Sequence, residues 1–355
     1  MALQPQSGGG RGYAFRVLAV VASSLAMAPL AAGCSSRGRP AQAAPRSGSA
    51  SAAFSPAATS AAASPSTTGT TTTVPPTTTT TVPRLPAPAP ISPLVTPALA
   101  GEGAWQPSGD PVPGGYALYT TLLRPAAGHA EVGVAWIDPA AARMALYAGT
   151  SEPSGSWPQQ GYVAAAAQPK LLAAFNSGFK IYSYRTGWFE QGTAAVPLQP
   201  GAASLVIFSN GSATVGEWGR DVNLGPSVAA VRQNLGLLVD HGAPTPAAAD
   251  PSAWGAVLGG GSVTWRSGVG VTAGGDLVYV GGPQLTPELL ATSLVAAGAE
   301  RAMELDINPE WVSLATFTHT PAGAAVGANL IPGTYYSANH YLAPYSRDFI
   351  ALFSR

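Results

Sequence analysis

Between Ser35 and about Ala100 the chain is built almost entirely from Ala, Ser, Thr and Pro, and that run limits how much of it can fold. The segment holds no acidic residue and one aromatic, Phe54, around a Thr-rich centre from Thr67 to Thr81. Such a composition cannot bury enough apolar area to offset the entropy of ordering it. Residues 34–100 are therefore expected to form a disordered tether. As a flexible coil its ends would lie roughly 45 Å apart, and as an extended polyproline-like chain about 200 Å. Ser and Thr mixed with Pro is a mucin-like composition that suits O-glycosylation. The 355 residues would allow two average domains. The tether leaves room for one, over residues 101–355.

Charge divides along the same line. All 17 acidic residues lie from Glu102 onward, with 11 of the 17 basic ones, so the C-terminal region is net acidic. It has no basic run, which excludes nucleic acid as a partner on electrostatic grounds.

The single cysteine, Cys34, permits neither an intramolecular disulfide nor a cysteine-based zinc cluster. Arg11 and Arg16 precede an apolar run from Val17 to Ala32, too short to span a bilayer as a helix. The run ends in Leu30-Ala31-Ala32-Gly33-Cys34, which resembles the lipobox of bacterial lipoproteins. Residues 1–33 then read as a lipoprotein signal peptide and Cys34 as the lipidation site. That implies a lipid-anchored protein on the extracytoplasmic face of the cell membrane. The alternative is an ordinary secretory signal beside a free thiol.

Within the domain, Glu131 to Ile137, Ser204 to Phe208, Ala213 to Glu217 and Leu235 to Val239 read as strands. Asn210-Gly211 between two of them marks a hairpin. Thr286, Pro287 and Glu288 followed by Gly298 bound a helix. It is flanked by apolar strands at Leu277 to Val280 and Arg301 to Ile307. Strand, helix, strand predicts a βαβ unit with parallel neighbouring strands. The expected fold class is α+β: a mixed, largely antiparallel sheet with a C-terminal βαβ unit, preceded by the tether.

Alternation in Arg301 to Ile307 places Met303, Leu305 and Ile307 on one face, Glu304 and Asp306 on the other. Two carboxylates so spaced suit acid/base work, a cation or sugar hydroxyls, or form a solvated face. No HExxH or paired-His spacing supports a transition metal, so no metal ligands are assigned, and a divalent cation stays open. His129 and His241 fall in turn-like contexts. His319 and His340 fall in long polar loops, where either could serve as an acid or a ligand. Trp188, Trp254, Trp265, Trp311, Tyr182 and Tyr184 could stack on sugars or fill the core.

Four ordered segments resemble the phosphodiester glycosidase family, the domain type of the enzyme that uncovers mannose-6-phosphate by removing N-acetylglucosamine from its diester. The family motif Asn-Gly-Gly-Phe-Phe is matched by Asn176-Ser177-Gly178-Phe179-Lys180, and Arg-Thr-Ala-Ile-Gly by Arg266-Ser267-Gly268-Val269-Gly270. A Leu-Gly-Ala-like stretch is matched by Ala297-Gly298-Ala299. The motif Ala-X-Asn-Leu-Asp-Gly-Gly-Gly-Ser is matched by the run from Ala302 to Glu310. The match spans roughly residues 130 to 350. Glu304 stands where the family has asparagine. Ile307, Asn308 and Pro309 replace its glycines, which gives the loop a different shape.

The resemblance implies a hydrolase of sugar-1-phosphate diesters in cell-wall or extracellular polysaccharide, its partner a carbohydrate or phosphoglycan. It makes Asp306, Glu304, Arg266 and Asn176 the catalytic candidates. Ser177, Gly178, Asn308 and His340 are the substrate-binding ones. Arg266 offers a planar fork for phosphate oxygens, or else a structural salt bridge to Asp306 or Glu304. A non-catalytic glycan-binding lipoprotein on the same scaffold is the alternative.

Overall fold

The computed structural model describes residues 85–355. The expected signal peptide, Cys34 and the tether as far as residue 84 lie outside the described residues.

Short apolar runs separated by Gly-, Pro- and Asn-containing turns build three sheets. An eight-stranded sheet runs in the order Gln106–Pro107, Leu118–Leu123, Val132–Ile137, Leu277–Leu285, Thr264–Thr272, Ala299–Ile307, Leu237–Asp240, Ala243–Pro244. One five-stranded sheet carries the hairpin Ala203–Phe208 and Ala213–Glu217. The other places Phe349–Ser354 between Leu171–Asn176 and Ala142–Tyr147. Gly211 turns the hairpin at φ 82°, and a Cβ there would lie 2.4 Å from the Cβ of Arg143. Glycine is required on both counts.

The main core lies between the sheets and joins Ile137, Leu146, Phe175, Trp188, Leu205, Val269, Tyr279, Met303 and Leu352. The other face of the large sheet packs Val278, Val280 and Ala302 against Leu290, Ala291 and Leu294 of the helix Pro287–Ala296. Burial on both faces explains why Leu277 to Val280 is continuously apolar rather than alternating. Ahead of the first strand, Ile91 donates its amide to the Gly103 carbonyl at 3.0 Å, and the Trp105 indole donates to the Ala89 carbonyl at 2.8 Å.

The α+β expectation is overturned. Every ladder among the described strands is antiparallel. The α-helices among the described residues are Pro287–Ala296 and the single turn Ile181–Tyr184. The domain is largely β. The helix forms where expected, with Thr286 Oγ1 accepting from the Leu289 amide at 3.1 Å. The strands on either side of it run parallel but are not neighbours, because Thr264–Thr272 lies between them, antiparallel to both. Gly268 makes that insertion fit: a Cβ there would sit 2.9 Å from Leu294 Cδ1 of the overlying helix. The two strands and the helix were readable in sequence, whereas the strand between them comes earlier in the chain and leaves no local signal.

Candidate functional site

The strand Ala299–Ile307 carries the site, and a bulge shapes it. Gly268 pairs with Glu304, but Arg266 pairs with Ile307, so Ser267 opposes both Leu305 and Asp306. The extra residue breaks the two-residue alternation and re-aims the side chains beyond it. Glu304 and Asp306 consequently part company.

Glu304 turns into the interior, where its Oε1 lies 2.6 Å from Arg266 Nη1 and neither side chain is exposed to solvent. Burial pushes the Glu304 carboxyl up to about 8, with Arg266 pulling the other way, and Oε2 has no partner among the described residues. Arg266 also donates to the carbonyls of Trp254, Ser262 and Leu285, each at 3.2 Å. Its fork is thus spent on protein, bracing the 254–262 segment rather than facing a ligand.

Asp306 instead faces a cavity of about 390 Å³. Its Oδ2 accepts from Arg347 Nη2 at 2.8 Å and its Oδ1 from the Ile307 amide at 2.8 Å. Burial pushes Asp306 up to about 7, against the pull of Arg347. Burial works against the charge of Arg347, but Asp306 and Asp348 more than offset it, so Arg347 is held protonated. A carboxyl raised towards neutrality beside an arginine, on a cavity, is an arrangement that acid/base work can use.

Arg347 and Asp348 reach this place because Phe349 pairs with Asn176. Arg347 also donates to the Gly178 carbonyl at 2.9 Å. Asp348 accepts from Arg232 Nε at 2.6 Å, and Arg232 donates further to Thr186 Oγ1 and the Phe179 carbonyl. Two arginines therefore pin the turn after Asn176. A Cβ on Gly178 would lie 3.2 to 3.3 Å from the Arg232 guanidinium, so the glycine makes room for the charge.

Asn176 is saturated. Its Oδ1 accepts from the Ser313 amide at 3.1 Å and Tyr279 Oη at 3.2 Å, and its Nδ2 donates to Ser267 Oγ at 2.9 Å and to the Ser177 carbonyl at 3.0 Å. Ser267 Oγ in turn donates to the Asp306 carbonyl at 3.1 Å. Asn176 acts on Asp306 through Ser267 and has no free group for a substrate. Ser177 is buried and its Oγ lacks a partner among the described residues. Asn308, at φ 75°, lines the cavity, accepting from the Leu258 amide at 3.0 Å and donating to the Ala256 carbonyl at 3.4 Å. It latches the loop that forms one wall.

His340 lies apart from the cavity. Its ring packs among Tyr336, Tyr341 and Tyr345, its Nδ1 faces the Ser337 carbonyl at 2.7 Å, and burial lowers its pKa to about 4. His319 bridges Asp110 at 2.6 Å and the Gln168 carbonyl at 2.7 Å. Trp188 and Trp254 are core, whereas Trp311 and Tyr184 line the cavity. Trp311 has Arg347 over its ring at 4.7 Å and Lys180 at 5.9 Å. Among the described residues no three His, Cys, Asp or Glu side chains converge to hold a metal ion.

Volume does not select this site. A cavity of about 400 Å³ lies elsewhere, with Glu102 on its wall engaged by the amides of Leu99 and Arg124. One of about 540 Å³ lies against Pro86–Ile91. Neither gathers an acid and two cations.

Residue types and spacing did not point to Arg347, Asp348, Arg232, Lys180 or Glu310. A signal existed for three of them. In a chain with 10% charged residues, Arg232 interrupts an apolar strand and Arg347-Asp348 abuts another. Such charges need buried partners.

No protein-family model matches the chain, and no curated protein does. Among solved structures it is similar to the zebrafish N-acetylglucosamine-1-phosphodiester α-N-acetylglucosaminidase catalytic domain, auto-inhibited by its pro-peptide. That alignment has 11% identity and a TM-score of 0.42, covering 71% of this chain and 87% of that one. A hypothetical protein from Synechocystis aligns at 12% identity and TM-score 0.36, covering 67% and 62%. An exported protein of Burkholderia pseudomallei aligns at 13% and 0.31, covering 63% and 74%. These are distant likenesses of fold and carry no residue roles.

Proposed function

We propose that the Asp306 cavity hydrolyses sugar-1-phosphate diesters of cell-wall or extracellular polysaccharide, in the manner of phosphodiester glycosidases. The observation that carries this reading is a buried carboxyl on a cavity, bonded to an arginine at 2.8 Å and pushed up to about 7. The ordered motifs ending at Asp306 support it. Arg347 and Lys180 supply the positive charge that a phosphate needs, the role that sequence resemblance gave to Arg266. A carboxyl half-protonated near neutral pH can give its proton to the departing phosphate oxygen. Asn176 positions Asp306 through Ser267, and Tyr184 and Trp311 offer ring surface to a sugar.

One observation favours a second reading, glycan binding without turnover. Both Asp306 oxygens already accept hydrogen bonds from the protein. The full chain, incubated with the methyl diester of N-acetylglucosamine-1-phosphate and with purified envelope polysaccharide, with and without Mg²⁺, separates the two. Sugar release that vanishes in Asp306→Ala supports the hydrolase. Retention on polysaccharide without release supports the binding module.

Anchoring through lipidated Cys34 belongs to the same proposal and rests on the motif alone. Expressed in a bacterium that lipidates such signals, the chain should fractionate with the membrane and Cys34→Ala should not. Equal partition of the two would defeat it.

A further inference from the structure

Hydrolysis at Asp306 needs a second proton-handling group, and the strand does not supply it. Glu304 is sealed inside with Arg266. The ionisable groups lining the cavity are Lys180, Tyr184, Asp306, Glu310 and Arg347. Arginine holds its proton, Lys180 and Tyr184 are exposed, and Asp306 is bonded to Arg347.

Glu310 is different. The turn from Asn308 to Trp311, closed by the Trp311 amide on the Asn308 carbonyl at 3.2 Å, swings it to the cavity wall. Its Oε2 is shut off from solvent and has no hydrogen-bond partner among the described residues. A carboxylate oxygen left that way costs stability, and Oε1, which is not shut off, is the oxygen that can meet water. The left-handed backbone of Asn308, at φ 75°, followed by Pro309 is what directs the turn.

Resting on the hydrolase reading above, we propose that Glu310 is the general base of the Asp306 cavity. Its carboxylate takes a proton from a water molecule as the water oxygen bonds to the anomeric carbon. The bond from that carbon to the phosphate oxygen breaks, and its electron pair stays on the oxygen. Asp306 delivers its proton there. Free sugar and a phosphate monoester leave, Glu310 releases its proton to solvent, and Asp306 takes one up.

The test uses the full chain, the same methyl diester, and binding of N-acetylglucosamine-1-phosphate followed by isothermal titration calorimetry. Glu310→Gln should lower kcat by about 10²- to 10³-fold with KM and binding little changed. It should also remove the acidic limb of the pH profile. Formate should restore part of the rate to Glu310→Ala, and Glu310→Asp should retain the limb with a smaller loss of rate. A Glu310→Gln chain within threefold of wild type, or one with its acidic limb intact, overturns the assignment and leaves the hydrolase reading standing. Wild-type chain that binds without turning over brings down both. Should Glu310→Gln not fold, Glu310→Asp decides: a rate equal to wild type counts against the base.

Discussion

Glu304 and Asp306 stand two positions apart on one strand, and each is met by an arginine at hydrogen-bond distance, 2.6 and 2.8 Å. One pair is sealed and the other opens on a cavity. The Arg266–Glu304 pair closes a gap between the sheet and the 254–262 segment, with its guanidinium shared among three backbone carbonyls. The Arg347–Asp306 pair borders space that a ligand can enter. An arginine–carboxylate pair is thus sealed in one place and open to a cavity in the other, and a single bulged residue separates the two. Burial alone does not distinguish them, because both carboxyls are pushed up by it. Access does.

The largest expected effect is on turnover. Asp306→Asn keeps the shape and removes the titrating group, so kcat for the methyl diester should fall by about 10³-fold or more, with a melting temperature close to wild type. Unchanged turnover would erase the contrast between the two pairs. Arg266→Ala should do the reverse. It leaves Glu304 buried without its partner, which costs about 3–5 kcal/mol. In a domain of this size that is a fall in Tm of about 10 °C, read by thermal melt. Arg266→Ala chain with native stability and lost activity would move Arg266 back into the chemistry.

A smaller effect separates the pairs by pH. Glu304, Asp306 and Glu190 all have folded pKa values raised by burial, to about 8, 7 and 7. A carboxyl raised in this way binds its proton more tightly when folded. Its contribution is present in full below the ordinary carboxyl range and is lost as pH rises through the raised value. Asp221 and Asp250 are lowered and act oppositely near and below the ordinary carboxyl range, and His340, lowered from 6.5 to about 4, opposes the slope in the lower part of the window against three raised carboxyls. Between about pH 5 and 8 the raised group dominates, so Tm should fall as pH rises across that window. Glu190 has one oxygen without a partner among the described residues and is raised by burial, so Glu190→Gln should flatten part of the slope. A slope of opposite sign would show that the burial of these carboxyls is relieved in solution.

How much of this was readable in sequence depends on range. Asn210-Gly211 and the capped helix are local signals, and both elements form where expected. Asn176 and Asp306 were singled out from ordered motifs, and the structure links them through one hydroxyl, Ser267 Oγ. Strict alternation put Glu304 and Asp306 on one face, and the bulge undid that, because a bulge is set by the partner strand and leaves no mark in a single run. Arg347 is hidden in the sequence for a similar reason. It lies 41 positions beyond Asp306 and meets it only through the pairing of Phe349 with Asn176. The cap signal of the helix Pro287–Ala296 is more legible in sequence than many short strands, although the strands dominate the described residues.

The smallest effect concerns the latch that keeps the open pair open. Asn308 holds the loop wall at Leu258 and Ala256 from a backbone at φ 75°, a conformation that glycine adopts freely and alanine does not. Asn308→Gly therefore removes the latch alone, and Asn308→Ala removes it and adds about 1 kcal/mol of backbone strain. If the latch serves the cavity, Asn308→Gly should raise KM for the methyl diester a few-fold with kcat unchanged, and should lower stability by under about 1 kcal/mol. Asn308→Ala should show the same KM and a lower Tm. The difference between them isolates the backbone. Should both variants instead lose kcat and keep KM, the side chain would be touching the reacting atoms, and the division between a braced pair and an accessible one would have to include Asn308 on the chemical side.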